Sequence, residues 1–179
     1  MDSLPEKLED ELVVITRLCM DDFEKLFAVA SDPLIWEQHP EKNRFRREVF
    51  QAFFDGAIAS KTSFLVLARS TGEVIGCTRF YDYQPALSSV AIGYTFLSRT
   101  YWGGKYNLSK KKLLLSYAFK FVDNVIFHVG VTNLRSQKAV ENLGAIKVNE
   151  VNMHHSGIDV LHVEYNLSKQ QWLNKYPEC

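Results

Sequence analysis

Apolar and polar positions recur along this chain with two different periods, and these periods predict the order of its elements. Short apolar or alternating runs, typical of strands, occur at residues 12–15, 63–68, 74–83, 89–96, 125–131, 146–148 and 160–165. Apolar residues at helical spacing occur at residues 23–30, 45–57, 113–122 and 136–143. Ser168 then caps a final turn that carries Trp172. The predicted order is β-α-α-β-β-β-α-β-α-β-β.

Strands mixed with crossover helices in this order predict an α/β (α+β) fold. We expect a mixed, mostly antiparallel central sheet of about seven strands, with helices on both faces. The 179 residues suit a single domain, residues 1–179, with a core at about 12–172. The composition, 46% hydrophobic and 13% aromatic, is sufficient for a packed interior.

The strongest chemical signal is a glycine turn between a predicted strand and a predicted helix, with the sequence Tyr101-Trp102-Gly103-Gly104-Lys105-Tyr106-Asn107. Two adjacent glycines let the backbone turn tightly and approach a ligand. We expect Asn107 to cap the helix, which would direct its free N–H groups and its positive dipole end at the turn. This geometry binds a phosphate or pyrophosphate.

Three lysines, Lys110, Lys111 and Lys112, follow in the first turns of that helix. Positive charge is unfavourable there unless an anion is bound. The alternative interpretation is a tight surface turn followed by a solvated basic face.

Two familiar phosphate loops are excluded by the residues of the turn. A P-loop requires Ser or Thr after its Gly-Lys pair, and here Gly104-Lys105 precedes Tyr106. The dinucleotide fingerprint Gly-x-Gly-x-x-Gly is also absent. We therefore expect a phosphorylated ligand that is held mainly by backbone groups.

The charge balance excludes some classes of partner. With 21 basic and 21 acidic residues the net charge is +0, so no overall field attracts nucleic acid or an anionic membrane. The chain shows no signal peptide, and no apolar run approaches the ~20 residues that cross a bilayer. Cys19, Cys77 and Cys179 have no metal-ligand spacing, and neither do the histidines at 154, 155 and 162. We expect a cytoplasmic protein without a metal.

Two motifs resemble the GNAT superfamily of acetyl-coenzyme A-dependent N-acetyltransferases. One is Ile92-Gly93-Tyr94-Thr95-Phe96-Leu97 running into Tyr101-Trp102-Gly103. The other is Asn133-Leu134-Arg135-Ser136 followed by Ala139-Val140-Glu141-Asn142-Leu143-Gly144-Ala145. With the element order, the resemblance spans about residues 12–172. Within the superfamily the chain looks most like the branch related to the ribosomal-protein N-terminal acetyltransferases (Rim-like).

The resemblance implies where acetyl-CoA would bind. The family's pyrophosphate loop usually reads Gln/Arg-x-x-Gly-x-Gly/Ala, and here Lys105 and Asn107 stand at the two small positions while Gly104 comes one position early. Phe96 and Leu97 would pair with the pantetheine arm like an added strand, and one of their N–H groups would polarise the acetyl carbonyl. The implied coenzyme-binding set is Phe96, Leu97, Trp102, Gly103, Gly104, Lys105, Tyr106, Asn107, Leu108, Asn133 and Ser136.

By the same resemblance, Asn133 and Ser136 lie beside the thiol of the coenzyme, and Ser136 is the candidate proton donor to the departing thiolate. Many relatives carry a Tyr four residues after that Ser, where this chain has Val140. The alternative is that Asn133 and Ser136 only cap the short helix that they begin.

The group that accepts the proton of the amine is left open. Relatives often carry a Glu just before the Ile-Gly pair, where this chain has Ala91. The candidates are His39, Glu37, Asp82 or Tyr94 acting through water, or no dedicated base at all. Trp36, Glu37, Arg79 and Tyr81 are candidates for binding the acceptor, although strand tyrosines are commonly packing residues. His128, in the middle of a strand, is interpreted as a packing histidine.

We expect direct acetyl transfer in a ternary complex to a primary amine, either a protein N-terminus or a small molecule. The expected protein is a monomer or homodimer that binds neither nucleic acid nor membrane. A rival from another class is a CoA-binding module without turnover, since Ala91, Val140 and the displaced glycine depart from the family pattern. A third is a nucleotide-binding regulator.

Overall fold

A computed structural model describes residues 4–155 and 158–178, without the side chains of His155 and Ile158. Cys179 lies outside the described residues, as does the His155 side chain. One sheet has its strands in the order β1-β2-β3-β4-β5-β6-β8-β7. The strands are β1 (Lys7–Glu9), β2 (Val13–Arg17), β3 (Ser63–Ala68), β4 (Val74–Gln84), β5 (Ser89–Leu97), β6 (Asn124–Gly130), β7 (Ile146–His155) and β8 (Ile158–Ser168). The helices are α1 (Phe23–Ala30), α2 (Arg47–Ser60), α3 (Lys105–Ala118), α4 (Leu134–Glu141) and α5 (Lys169–Lys175).

The predicted class, a mixed and mostly antiparallel sheet, is confirmed. Every described pair of neighbouring strands is antiparallel except β5 with β6, which is parallel. The sheet has eight strands rather than about seven because the short strand β1 pairs with β2 at its edge. Three residues with exposed ends carry too little apolar pattern to be predicted as a strand.

Helices cover both faces of the sheet, as the mixed element order predicts. On one face, Leu114 and Leu115 of α3, Val140 of α4 and Trp172 of α5 belong to a core cluster that includes Phe80 of β4. A second cluster on the other face joins α1 and α2 to the sheet through Phe50, Phe54, Leu65, Cys77 and Phe96. The apolar residues at helical spacing in α2 are therefore part of the core.

The sheet is split between β5 and β6. The two strands are in register only from Ser89–Ala91 against Asn124–Ile126, and beyond that point they diverge. A β-bulge in β5 lies just past the split, where Tyr94 takes a left-handed φ of 51° before pairing with β4 resumes at Phe96. The diverging strands leave a cleft that opens toward the beginnings of α3 and α4.

Candidate active site

The cleft between β5 and β6 contains a cavity of about 800 Å³. It is walled by the end of β5, the start of α3, the length of α4 and the segment that follows α1. Twelve residues proposed from the sequence line it: Trp36, His39, Phe96, Leu97, Trp102, Gly103, Gly104, Lys105, Asn107, Leu108, Asn133 and Ser136. Motifs that are far apart in the sequence therefore meet at one site.

One end of the cavity is the N-terminus of α3. The helix begins at Lys105 with Gly104 in the N-cap position, so the prediction that Asn107 caps it is wrong by three residues. Gly103 has a φ of 74°, which favours glycine, and it turns the chain earlier than the aligned motif implies. Gly104 has no side chain that could cap the helix, so the N–H groups in the first turn of α3 have no side-chain acceptor from the N-cap residue. Gly104 and Lys105 both line the cavity. Such a terminus suits an anion.

Open space surrounds both glycines of the turn. A Cβ atom built on Gly103 or Gly104 would meet no described heavy atom within 4 Å. The backbone at this end is therefore accessible to a ligand from the cavity side. Tyr106, also proposed from the sequence to bind the coenzyme, does not line the cavity, and its side chain packs edge-on against Tyr101 at 4.8 Å between ring centroids.

Lys110 and Lys111 are buried, which contradicts a solvated basic face at these two positions. Because α3 starts at Lys105, both lie on the side that packs on the sheet with Leu114 and Leu115. Burial lowers the pKa of the Lys111 ammonium to about 7. Burial, with the nearby Lys111 charge, lowers the pKa of Lys110 well below its usual range. Lys111 lines the cavity with its ammonium 4.8 Å from the centroid of the Phe127 ring.

Basic side chains that the sequence analysis did not single out also line the cavity. The guanidinium of Arg135 stacks 3.6 Å from the centroid of the Trp102 ring, while Lys138 lies one turn further along α4. Trp102 is fixed in turn by its Nε1–H, which donates to the carbonyl of Leu97 over 2.8 Å. Arg135 lies within one of the two motifs, but the sequence does not show that its side chain contacts Trp102. Together with Lys111, these groups give the cavity a positive lining.

The other end of the cavity is the N-terminus of α4. The side chain of Asn133 caps this helix by accepting from the backbone N–H of Ser136 over 3.2 Å. Ser136 contributes only its N–H to the cap, and both residues line the cavity. Val140 is 3% exposed and belongs to the core. Because a valine side chain carries no acidic proton, it cannot take the role of the Tyr that many relatives have at this position.

His39 and Trp36 form a wall of the cavity. The Trp36 ring packs 4.9 Å from that of Phe96, and its Nε1–H donates to the carbonyl of Ala30. Both nitrogens of His39 face donors, with the Glu41 backbone N–H at 2.9 Å from Nδ1 and the Arg44 guanidinium at 3.2 Å from Nε2. A ring approached by two donors is poorly arranged to take a proton from an amine.

The remaining candidates lie outside the cavity lining. Glu37 is exposed. Arg79, Tyr81 and Tyr94 form a cluster beside the β5 bulge, with the Arg79 guanidinium 4.1 Å from the Tyr94 ring centroid and the Tyr81 and Tyr94 centroids 5.2 Å apart. The Tyr81 hydroxyl lies 2.7 Å from Nδ1 of His128. Thr95, next to Tyr94, lines the cavity, so this cluster begins one residue away from it.

Two features of the described residues bear on metals and membranes. Within residues 4–155 and 158–178, no group of three or more His, Cys, Asp or Glu side chains is placed to hold a metal ion. In the same part of the chain no helix is long and apolar enough to span a bilayer.

A family model described as an acetyltransferase (GNAT) domain matches residues 13–146. No curated protein matches the sequence significantly. A solved structure described as an acetyltransferase is 25% identical, with a TM-score of 0.83 over 97% of this chain and 92% of the other. A GCN5-related N-acetyltransferase from Brucella melitensis is 19% identical, with a TM-score of 0.80 over 94% of this chain and 82% of its own.

One further neighbour was solved with a coenzyme. Mycobacterium smegmatis RimJ, in complex with CoA-disulfide, is 16% identical, with a TM-score of 0.68 over 92% of this chain and 89% of its own. At this identity the likeness shows a shared fold.

Proposed function

This chain belongs to the GNAT acetyltransferase family, and on that premise we propose that it moves an acetyl group from acetyl-CoA to a primary amine by direct transfer in a ternary complex. The acceptor is a protein N-terminus or a small molecule. The reaction takes place in the cytoplasm, where Cys19 and Cys77, both free thiols, would stay reduced. A monomer or homodimer suffices for it.

The observation that carries the proposal is the cavity between β5 and β6, which joins two helix N-termini. The residues present fit acetyl-CoA: the first amides of α3 and the basic groups Lys111, Arg135 and Lys138 suit its diphosphate. The β5 edge is unpaired by β6 beyond Ala91, which suits an extended pantetheine arm. Acetyl-CoA, when bound, supplies an activated acetyl group as a thioester.

The chemistry needs a donor to the carbonyl oxygen and a proton for the leaving sulfur. In this proposal a backbone N–H of Phe96 or Leu97 polarises the carbonyl. The Ser136 hydroxyl, at the cavity end of α4, donates the proton to the thiolate, while Asn133 holds the start of that helix in place. Trp36 and Phe96 exclude water from one side of the reacting groups.

The acceptor class rests on the Rim-like motifs and on neighbours of the same fold. One neighbour is described as a ribosomal-protein-serine acetyltransferase from Vibrio cholerae, 14% identical with a TM-score of 0.72 over 90% of this chain and 97% of its own. We propose a protein α-amine as the first acceptor to test, with small primary amines as the second.

The test is release of free thiol from acetyl-CoA across a panel of peptides with free N-termini and small primary amines. Mass spectrometry of each product should show one added acetyl group on the amine. Thiol release without an acetylated amine would contradict the proposed transfer. ATP serves as a competing ligand in thermal shift, and a larger stabilisation by ATP than by CoA would favour a nucleotide-binding regulator.

A CoA-binding module without turnover is the second candidate. The buried Ala91 and Val140 favour it, because neither position supplies the side chain that many relatives use there. Tight CoA binding with no acetylated product on the whole panel would support the module and overturn the enzyme.

A further inference from the structure

Three side chains outside the cavity form a continuous hydrogen-bonded chain across the sheet. The Tyr81 hydroxyl of β4 lies 2.7 Å from Nδ1 of His128 in β6. Nε2 of His128 lies 3.1 Å from the carboxylate of Glu164 in β8, the residue directly opposite it in register. Since an ionised carboxylate only accepts, Nε2 carries the hydrogen and Nδ1 accepts from the tyrosine. Both donors among these three side chains, the Tyr81 hydroxyl and Nε2–H of His128, then meet an acceptor.

Tyr81 reaches His128 only because β5, which lies between their strands, has a glycine at the crossing point. A Cβ atom on Gly93 would lie 2.8 Å from Cε1 of the Tyr81 ring and 3.3 Å from its hydroxyl oxygen. Any other residue at position 93 would therefore push the ring away from His128. The hydrogen bond between Tyr81 and His128 therefore depends on the absence of a side chain at Gly93.

The tyrosine end of this chain is close to the proposed reaction site. The Tyr81 ring contacts Tyr94, whose φ of 51° places it at the β5 bulge, and the next residue, Thr95, lines the cavity. Bulges of this kind often re-aim groups beside active sites. Phe53 of α2 covers the same side, with its ring 6.4 Å from that of Tyr94.

The glutamate end leads to solvent. The side chain of His128 is 12% exposed and that of Glu164 is 25% exposed, so the chain runs from the interior outward. The other charged or titratable groups that face it are Arg79 and Asp82 on β4, Tyr94 on β5 and His162 on β8. Burial, with the Tyr94, Asp82 and Glu164 groups nearby, raises the pKa of Tyr81 above its usual value, so its hydroxyl stays protonated until a base removes the proton.

The geometry points to Tyr81, His128 and Glu164 as the proton relay that deprotonates the acceptor amine and delivers the proton to solvent. This inference rests on the proposed acetyl transfer and supplies the base that Ala91 and the doubly engaged His39 do not.

Each proton in the relay has a defined origin and destination. As the amine nitrogen bonds to the acetyl carbon, its proton passes to the Tyr81 oxygen while the original hydroxyl proton passes to Nδ1 of His128. The imidazolium formed in this way is stabilised by the Glu164 carboxylate, which is hydrogen-bonded to Nε2. Once product leaves, the imidazolium loses its Nε2 proton to water by way of the partly exposed Glu164 carboxylate, and exchange of the ring proton with water restores the starting tautomer.

The experiment compares the pH profile of kcat/KM for the wild-type enzyme with those of Tyr81→Phe, His128→Asn and Glu164→Gln, using the best peptide amine from the panel. We expect Tyr81→Phe and His128→Asn to lower kcat by about 10²-fold, the usual contribution of a general base. In both variants the acidic limb of the profile should keep only the part that comes from protonation of the peptide α-amine. The affinity for CoA, measured by calorimetry, should stay unchanged, because none of the three residues lines the cavity.

His154→Asn is the matched control, since His154 pairs with Asp159 at the exposed end of β7 and β8 and is outside the relay. Tyr81→Phe removes a single oxygen, so it provides the answer if His128→Asn does not fold. An active wild type with unchanged profiles in the variants would overturn the relay alone. A wild type that acetylates no amine on the panel would overturn the proposed function and the relay with it.

Discussion

The diphosphate end of the cavity and the side-chain cluster beside the β5 bulge, which we call the acceptor end, are built from different parts of the chain. The diphosphate end, residues 103–107, is exposed backbone at the start of α3, with open space around its glycines. The acceptor end, defined by Arg79, Tyr81, Tyr94, His128 and Glu164, consists of side chains from four strands that contact one another closely.

This difference predicts different sensitivity to mutation. A site made of backbone amides depends on the conformation of the main chain, so most side-chain changes beside it should alter affinity modestly. A site made of interlocked side chains depends on the position of each member, and a shift of about 1 Å can cost 10²-fold in rate. The following changes test that contrast.

Ser136 lines the cavity in the first turn of α4, and replacing it with Ala should give the largest effect. If its hydroxyl protonates the thiolate, Ser136→Ala should lower kcat by about 10²-fold or more, measured as thiol release at saturating substrates. The cap of α4 should survive, because it uses the backbone N–H of Ser136 and the side chain of Asn133. An unchanged melting temperature would verify that, and an unchanged kcat would remove Ser136 from the mechanism.

Gly93→Ala should damage the acceptor end without touching the cavity lining. The added methyl group must displace the Tyr81 ring, since the two would be 2.8 Å apart, and kcat should fall by about 10²-fold. CoA affinity should stay at the wild-type value. Gly56→Ala is the control, because its Cβ meets nothing within 4 Å in the described structure of α2. Equal activity of the two variants would mean that the position of Tyr81 is irrelevant.

The fold and most of the coenzyme end follow from the sequence because their signals are local. The near-continuous apolar run of β3 reports burial on both faces directly, and residues of the two motifs line the cavity. The start of α3 was misplaced because it depends on the φ of Gly103, which a string of residues does not specify. Because the start of the helix was misplaced, the burial of Lys110 and Lys111 was not predicted.

The sequence analysis proposed Arg79, Tyr81 and Tyr94 for the acceptor, but it could not find the hydrogen-bonded link from Tyr81 to His128 and Glu164 in this way. Tyr81, His128 and Glu164 are 47 and 36 residues apart along the chain. Only the pairing of His128 opposite Glu164, and the passage of a ring over Gly93, brings them together. Alternation places a residue on a face of a strand but does not fix the register between strands, so His128 was interpreted as a packing residue.

Gly104→Val should have a smaller effect, confined to the diphosphate end. Its side chain would enter the open space where a diphosphate meets the amides of α3, so the affinity for CoA should fall by about tenfold, or about 1.4 kcal/mol. At saturating acetyl-CoA, kcat should stay near the wild-type value. Gly104→Ala, with a smaller side chain, should have a CoA affinity between those of the wild type and Gly104→Val. Wild-type affinity in Gly104→Val, measured by calorimetry, would show that the diphosphate binds elsewhere.

The last effect is on stability rather than on activity, and it concerns Lys111, the buried lysine that lines the cavity. Its pKa is lowered from 10.5 to about 7 in the folded protein, so between these values the unfolded chain binds more protons than the folded chain. Stability should therefore rise with pH from about 7 toward 10.5, by at most about 1.4 kcal/mol per pH unit for this group. Lys111→Met should reduce that slope in urea unfolding and leave the part that the buried Lys110 contributes, whereas the exposed Lys120→Met should leave the slope unchanged. A slope in Lys111→Met equal to that of the wild type would mean that Lys111 stays charged in the free protein. The backbone amides would then share the diphosphate end with a permanent cation, and the contrast between the two ends would weaken.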